Sequence, residues 1–120
     1  MPTILVVDDE RLIRWSLKDR LARAGYEVLE AGDGAEAEAR LAAGGVDLVL
    51  LDLKLPDADG MDILERIRAE EHAPPVIMMT AHGTPDTAAE AARLGAASFV
   101  GKPFDLDDVV GLVRSTLPAA

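Results

Sequence analysis

The stretch that decides the fold is Thr3-Ile4-Leu5-Val6-Val7-Asp8-Asp9, an apolar run that ends in two carboxylates. The run has no polar face and is too short for a buried helix, which predicts a strand covered on both sides. Two later runs have the same form: Leu48-Val49-Leu50-Leu51 ends at Asp52, and Val76-Ile77-Met78-Met79 ends at Thr80. Such strands are typical of a parallel sheet with helices on both faces.

Short apolar runs of this kind alternate with amphipathic stretches along the whole sequence. The alternation predicts a strand-helix repeat and therefore the α/β class, as one doubly wound parallel sheet of five strands. The predicted strands are Thr3 to Val7, Tyr26 to Glu30, Leu48 to Leu51, Val76 to Met79 and Ser98 to Val100.

Helices are predicted after each strand, because apolar residues recur there at intervals of three or four. The apolar stripes are Ile13, Leu17 and Leu21; Ala37 and Leu41; Met61, Leu64 and Ile67; and Leu106, Val109, Val110, Val113 and Leu117. Asp105 is predicted to cap the fifth helix. The fourth helix, with Thr84 as cap and Pro85 at its first position, offers mainly alanine methyl groups before Leu94. Because alanine buries little apolar area, we expect this helix to be weakly held and to move.

Composition narrows the functional classes. The chain has 120 residues, 12 basic and 22 acidic side chains, and no cysteine. Its net charge of -10 disfavours binding to nucleic acid or to anionic membranes. A chain without cysteine has no disulfide, thiolate metal site or cysteine nucleophile, and no apolar run approaches the length of a membrane span. We therefore expect a single cytoplasmic domain.

Polar residues collect where the predicted strands end: Asp8 and Asp9 after the first, Asp52 after the third, Thr80 after the fourth and Lys102 after the fifth. The carboxyl ends of parallel strands share one edge, where ligands bind in open α/β sheets. Each residue also has a simpler interpretation. The acid pair would cap a helix, Asp52 would be a turn residue, Thr80 an ordinary strand end and Lys102 a solvated surface amine.

Three carboxylates in one crevice repel one another and need a cation to stay charged together. Oxygen ligands without histidine or thiolate favour Mg²⁺ or Mn²⁺. A carboxylate beside a metal and a lysine is suited to attack a phosphoryl group, which gives an aspartyl phosphate. Lys102 would then pair with the phosphoryl oxygens and the Thr80 hydroxyl would donate to one. Chemistry alone leaves the nucleophile open, but the central position of its strand favours Asp52.

With these residues the sequence resembles the receiver domains of two-component response regulators over its whole length. The matching motifs are Ile4-Leu5-Val6-Val7-Asp8-Asp9-Glu10, Leu50-Leu51-Asp52-Leu53-Lys54-Leu55-Pro56, Asp59-Gly60, Met79-Thr80-Ala81 and Gly101-Lys102-Pro103-Phe104. Ile13-Arg14-Trp15-Ser16-Leu17 and Thr80-Ala81-His82-Gly83 are most similar to receivers of sigma-54-dependent (NtrC-type) transcriptional activators.

The resemblance implies the flavodoxin-like receiver fold with strand order 2-1-3-4-5. It implies Asp52 as the phosphoacceptor, Asp9 as a direct Mg²⁺ ligand and Asp8 as a ligand largely through water. The main-chain carbonyl of Lys54 is a further implied ligand, and the bond from Lys102 to Pro103 is implied to be cis.

The same resemblance implies a switch in which Phe99 swings inward when the Thr80 hydroxyl moves toward the phosphoryl group. Core packing is the simpler interpretation of Phe99. The switch would change the surface of the fourth helix, fifth strand and fifth helix. In the family, the positions of His82 and Lys54 flank the phosphoryl site and would tune the lifetime of the phosphorylated state. The simpler interpretation of His82, and also of His72, is a solvated histidine in a loop.

The implied partners are a sensor histidine kinase or phosphotransfer protein as donor, and an output domain or partner protein as target. We expect residues 1–120 to form one receiver domain, without an output domain in the chain. We expect this domain to be regulatory and to catalyse only its own phosphorylation and dephosphorylation. Leu112, off the main stripe of the fifth helix, leaves a homodimer open. Trp15 is predicted to face away from the core and to be partly exposed.

Three other functions would each require sequence features of their own. A Mg²⁺-dependent phosphohydrolase with an aspartyl intermediate would need a substrate pocket and a second Asp two residues after Asp52, where Lys54 stands. A flavin or nucleotide binder would need glycines and hydroxyls after the first strand, where Asp8-Asp9-Glu10-Arg11 stands. A receiver that has lost phosphorylation is disfavoured because all five key side chains are present.

Overall fold

The alternation of strands and helices predicted from the sequence is present in the computed structural model, which describes residues 1–81 and 83–117. The elements are β1 (Thr3–Val7), α1 (Arg11–Arg23), β2 (Glu27–Ala31), α2 (Gly34–Ala42), β3 (Leu48–Asp52), α3 (Gly60–Ala69), β4 (Val76–Thr80), α4 (Pro85–Arg93), β5 (Ser98–Gly101) and α5 (Leu106–Thr116). The predicted strand bounds differ from these by at most one residue. β2 begins and ends one residue later than predicted, and β3, β4 and β5 each end one residue later.

The five strands form one parallel sheet in the order β2-β1-β3-β4-β5, as the resemblance implied. All residues of β3 and β4 are buried, and β1 is buried from Ile4 onward. The apolar side chains of these strands alternate between two core clusters. One cluster includes residues of α2, α3 and α4, and the other includes residues of α1 and α5. The sheet is therefore covered on both faces, which explains its strands without a polar side.

The apolar stripe of α3 contains Ile63 in addition to the three predicted residues, and all four belong to or pack against one core cluster. Ile63, Leu64 and Ile67 are buried, whereas the predicted Met61 is half-buried. At about 100° per residue, the buried trio occupies a face on which Met61 lies at the edge. The helix begins where predicted, at Gly60, and the side chain of Asp59 caps it by accepting from the N–H of Met61.

The capping residues of α4 and α5 are the predicted ones, but the two helices bury very different amounts of apolar side chain. Thr84 and Thr87 form a reciprocal capping box at α4, Pro85 stands at its first position, and Asp105 caps α5. Ala91 is the buried residue of α4, whereas α5 buries three valines, Val109, Val110 and Val113. The ends of α4 are capped, but the helix buries little apolar area, which agrees with the prediction that it is weakly held against the sheet. None of the described helices has the length and apolar character required to cross a membrane.

Candidate functional site

The sheet brings the predicted polar residues to one edge. Asp8 directly follows β1, and Asp52 and Thr80 are the last residues of β3 and β4. The register aligns these ends, since Asp52 pairs with Met79 and Thr80 pairs with Gly101. Lys102 follows β5, and its N–H donates to the carbonyl of Thr80 at 2.7 Å. Parallel pairing thus places four strand ends side by side.

Three carboxylates converge at this edge. One oxygen each from Asp8, Asp9 and Asp52 lies within 4.8 Å of the others, a group that could hold a metal ion. Asp8 is fully buried and Asp52 is only 6% exposed, whereas Asp9 is exposed. Burial, together with the charge of Asp8, raises the pKa of Asp52 even though Lys102 acts in the opposite direction. The site therefore carries a negative charge that the protein alone does not fully compensate.

Lys102 is the positive group of the site. Its Nζ donates to Oδ2 of Asp8 at 2.7 Å and to Oδ2 of Asp52 at 3.1 Å, and its side chain is 8% exposed. Burial by itself would lower the pKa of Lys102, but the hydrogen bonds and charges of Asp8 and Asp52 outweigh it and raise that pKa. The Lys102–Pro103 peptide bond is cis. Lys102 is thus a buried, charged bridge between two acids and not a solvated surface amine.

The simpler interpretations of the acids do not describe this geometry. The residue at the start of α1 is Glu10, which makes no side-chain capping hydrogen bond, and Oδ1 of Asp8 instead accepts from the N–H of Glu10 at 2.9 Å. Asp52 is a strand residue. The N–H of Lys54 approaches Oδ1 of Asp52 at 3.4 Å. The second oxygen of each carboxylate, Oδ2, accepts a hydrogen bond from Lys102, so both acids face the shared edge.

Thr80 and Phe99 lie on the same face of the sheet. Thr80 is buried at the end of β4, and Phe99 is partly buried against the core cluster that contains Met78. Gly83 closes over both residues, since a Cβ there would lie 2.8 Å from the Phe99 ring and 3.0 Å from Cγ2 of Thr80. Gly83, in the loop that leads to α4, therefore lies close to both Thr80 and the Phe99 ring.

The remaining candidate residues are placed as follows. Lys54 is exposed beside Asp52, and Trp15 is 61% exposed, as predicted for its face of α1. His72 lies in an exposed loop before β4, at the opposite edge of the sheet. His82 lies outside the described residues.

The side chain of Asp57 makes a contact with α2 that the sequence pattern does not predict. Its carboxylate accepts from the N–H of Gly34 at 2.7 Å and from that of Ala35 at 3.1 Å, so the loop after β3 caps the start of α2. These hydrogen bonds, that of Gly34 foremost, lower the pKa of Asp57. Nothing in the local sequence indicates a bond across 23 residues. The aspartate signals a turn or cap, but not which helix it caps.

Comparisons with known proteins point to one family. The family described as "Response regulator receiver domain" matches residues 4–114. NtrC, a DNA-binding transcriptional regulator of Escherichia coli strain K12, is 40% identical over 95% of this chain. The chain spans 24% of that regulator's length. Sporulation initiation phosphotransferase F of Bacillus subtilis is 39% identical, and the match covers 96% of this chain and 93% of that protein.

Comparison with solved structures points to the same family. A CheY-like receiver domain protein from Methanospirillum hungatei superimposes with a TM-score of 0.91 at 30% identity, over 96% of this chain and 92% of that one. Sequence and structure therefore agree over nearly all of the chain, including the edge where the acids and Lys102 meet. The chain belongs to the response regulator receiver domains, the regulatory modules of two-component signalling.

Proposed function

We propose that the chain accepts a phosphoryl group onto Asp52 from a sensor histidine kinase or phosphotransfer protein, in a Mg²⁺-dependent reaction. The observation that carries this proposal is the meeting of Asp8, Asp9, Asp52 and Lys102 at one edge of the sheet. The family and the likeness to NtrC and to a sporulation phosphotransferase support it.

The donor set fits a small hard cation. All three side chains offer carboxylate oxygens, the ligands that Mg²⁺ or Mn²⁺ prefers, and few protein ligands leave room for the waters that Mg²⁺ keeps. We assign Asp9 and Asp52 as direct ligands, Asp8 as a ligand largely through water, and the main-chain carbonyl of Lys54 as a further ligand. The bound cation would neutralise charge on the phosphoryl oxygens during transfer.

The chain's own residues supply the rest of the chemistry. A carboxylate oxygen of Asp52 attacks the phosphorus while the bond to the donor's leaving atom breaks. Lys102 lies 3.1 Å from Oδ2 of Asp52 and pairs with a phosphoryl oxygen, and the Thr80 hydroxyl donates to another. Because phosphoryl transfer depends on positioning and charge neutralisation, these roles need no further base. Hydrolysis later returns Asp52 to the free carboxylate.

The signal would pass through Thr80 and Phe99. Both lie on one face of the sheet and close to Gly83, in the loop that leads to α4. Movement of the Thr80 hydroxyl toward the phosphoryl group would open space for the Phe99 ring and change the surface formed by α4, β5 and α5. The target would be an output domain or partner protein. The likeness to NtrC favours transcriptional regulation as the outcome.

The surface beside the site favours a protein donor. Leu12 on α1 is 74% exposed and, together with Pro103 and Phe104, lines a groove between α1 and Lys102. Exposed apolar side chains at the mouth of a charged site are typical of protein contact surfaces.

Intact-mass spectrometry tests the proposal. With Mg²⁺ and acetyl phosphate, the protein is expected to gain one phosphoryl group that is stable in acid and lost in base. Asp52→Asn is expected to abolish the gain, whereas Asp62→Asn, an exposed aspartate of α3, serves as the matched control and keeps it. Phosphorylation of the Asp52→Asn variant would contradict the proposal. Turnover of a free phosphomonoester would instead favour a phosphohydrolase.

A further inference from the structure

A single arginine fixes the backbone that carries the acid pair. Arg14, in the second turn of α1, donates from Nη1 to the main-chain carbonyl of Asp8 at 2.7 Å. Its Nε lies 3.4 Å from Oε1 of Glu30 on β2, an ion pair that does not have the geometry of a hydrogen bond, and the Arg14 side chain is 18% exposed. The guanidinium also lies against Gly32, where a Cβ would come within 3.2 Å of Nη1. It is therefore held between the ends of β1 and β2.

The carbonyl that Arg14 binds belongs to the peptide plane joining Asp8 to Asp9. A peptide unit is planar, so fixing its carbonyl fixes the direction in which the chain enters Asp9. The neighbouring planes are also held. The N–H of Asp8 donates to the carbonyl of Ala31 at 3.1 Å, and the N–H of Glu10 donates to Oδ1 of Asp8 at 2.9 Å. Three consecutive peptide planes around the acid pair are thus fixed, the middle one by Arg14.

Asp9 depends on this support more than Asp8 does. The Asp8 carboxylate is fully buried and bound by Lys102, whereas Asp9 is exposed. An exposed carboxylate has a defined direction only if its backbone has one. The contact to Asp8 also comes from a charged donor, which makes it stronger than a neutral hydrogen bond.

We infer that Arg14 is a positioning residue for the divalent-cation site, acting through the Asp8–Asp9 peptide and oriented by Glu30. This inference rests on the proposed function, since it assumes that Asp9 is a ligand. Arginine suits the role because its planar guanidinium hydrogen-bonds the carbonyl through Nη1 while its Nε side faces the Glu30 carboxylate as an ion pair. Lysine offers a single point charge and would pair with either the Asp8 carbonyl or the Glu30 carboxylate, but not with both.

Titration of the ¹⁵N-labelled protein with Mg²⁺, followed by amide NMR shifts, tests the inference. Arg14→Gln is expected to raise the half-saturating Mg²⁺ concentration roughly 10-fold, as for loss of other groups that orient metal ligands. Arg14→Lys is expected to give a smaller increase. Lys18→Gln is the matched control, because Lys18 lies one turn further along α1 and contacts Glu30 at 3.5 Å. It is expected to leave the half-saturating concentration unchanged.

A second readout separates positioning from general destabilisation. In phosphorylation by acetyl phosphate, Arg14→Gln is expected to raise the half-saturating Mg²⁺ concentration by the same factor, while the rate at saturating Mg²⁺ stays at the wild-type level. Unchanged half-saturation, or a lower saturating rate alone, would overturn the inference. If Arg14→Gln does not fold, Glu30→Gln supplies the test, with a smaller rise expected and no rise overturning the inference. A wild-type protein that binds no Mg²⁺ would overturn the proposed function itself.

Discussion

At the scale of single residues, Asp52 is in an environment that disfavours its charge. Burial and the neighbouring Asp8 raise its pKa in the folded state. A carboxyl group with a raised folded pKa costs stability once the pH exceeds its unfolded pKa, and the cost is complete above the folded pKa. The charged form of Asp52, the proposed phosphoacceptor, is thus destabilised in the folded protein, and a bound cation would relieve this.

Asp52→Asn is therefore expected to raise the free energy of unfolding at pH 7 without divalent cations. The gain is expected to shrink as the pH falls through the raised pKa of Asp52 and to vanish below the ordinary carboxyl pKa of about 4. Urea unfolding of both proteins across this pH range measures the difference. Asp62→Asn, with its exposed aspartate, serves as the control. A variant no more stable than the wild type at pH 7 would contradict this view of the site.

At the scale of elements, the start of α3 touches the end of β3 without space between them. A Cβ on Gly60 would overlap the carbonyl oxygen of Asp52 and lie 2.8 Å from Cα of Leu53. The N–H of Gly60 donates to the carbonyl of Leu53 at 2.7 Å, so the helix cannot move away without losing this bond. Glycine at this position lets α3 close over the strand that carries Asp52.

Gly60→Ala is expected to lower the free energy of unfolding by about 1–3 kcal/mol, the range for side chains forced into filled space. Gly111→Ala is the matched control in α5, where a Cβ would meet nothing within 4 Å. There, alanine is expected to stabilise the helix by about 0.5–1 kcal/mol. Denaturant unfolding measures both changes. Equal effects of the two substitutions would show that the contact with Asp52 does not restrict Gly60.

The fourth helix is the least anchored of those around the site. Ala91 is its buried residue, whereas α3 buries Ile63, Leu64 and Ile67. We predict that backbone amides of α4 exchange with solvent faster than those of α3 and α5 under native conditions, because local opening costs less where little apolar area is buried. Hydrogen exchange followed by NMR measures this. Protection in α4 equal to that in α5 would exclude α4 as the mobile element.

At the scale of the whole molecule, the excess of negative charge is expected to make the free energy of unfolding depend on cations. The net charge is -10, and three of the acids share one site. A ligand that binds only the folded state adds about 2.7 kcal/mol when its concentration is 100 times its dissociation constant. Mg²⁺ is therefore expected to raise the unfolding midpoint beyond the effect of NaCl at equal ionic strength.

Thermal unfolding in MgCl₂ and in NaCl of matched ionic strength measures the part of the rise in midpoint that is specific to Mg²⁺. Asp9→Asn is expected to lose most of it, because the variant lacks the proposed ligand while its net charge changes only from -10 to -9. If MgCl₂ and NaCl raise the midpoint equally in the wild type, the acids act only through general screening.

The amino-acid sequence by itself determined the element order, the doubly wound sheet and the strand ends that carry Asp8, Asp52 and Thr80. These features follow from local pattern, because buried parallel strands have no polar side and polar residues appear where burial stops. The resemblance added the strand order and the cis bond before Pro103, and both are present in the structure.

Only the tertiary structure decided how these residues are supported. Lys102 bridges Asp8 and Asp52 across 94 and 50 residues of chain, and Asp57 caps a helix that begins 23 residues before it. Arg14 belongs to the polar side of α1 in the sequence, yet it reaches back to the Asp8 carbonyl. Such contacts depend on where separate elements meet, and no local periodicity encodes that distance. Pattern therefore determined which groups reach the edge, and packing determined which of them hold one another in place.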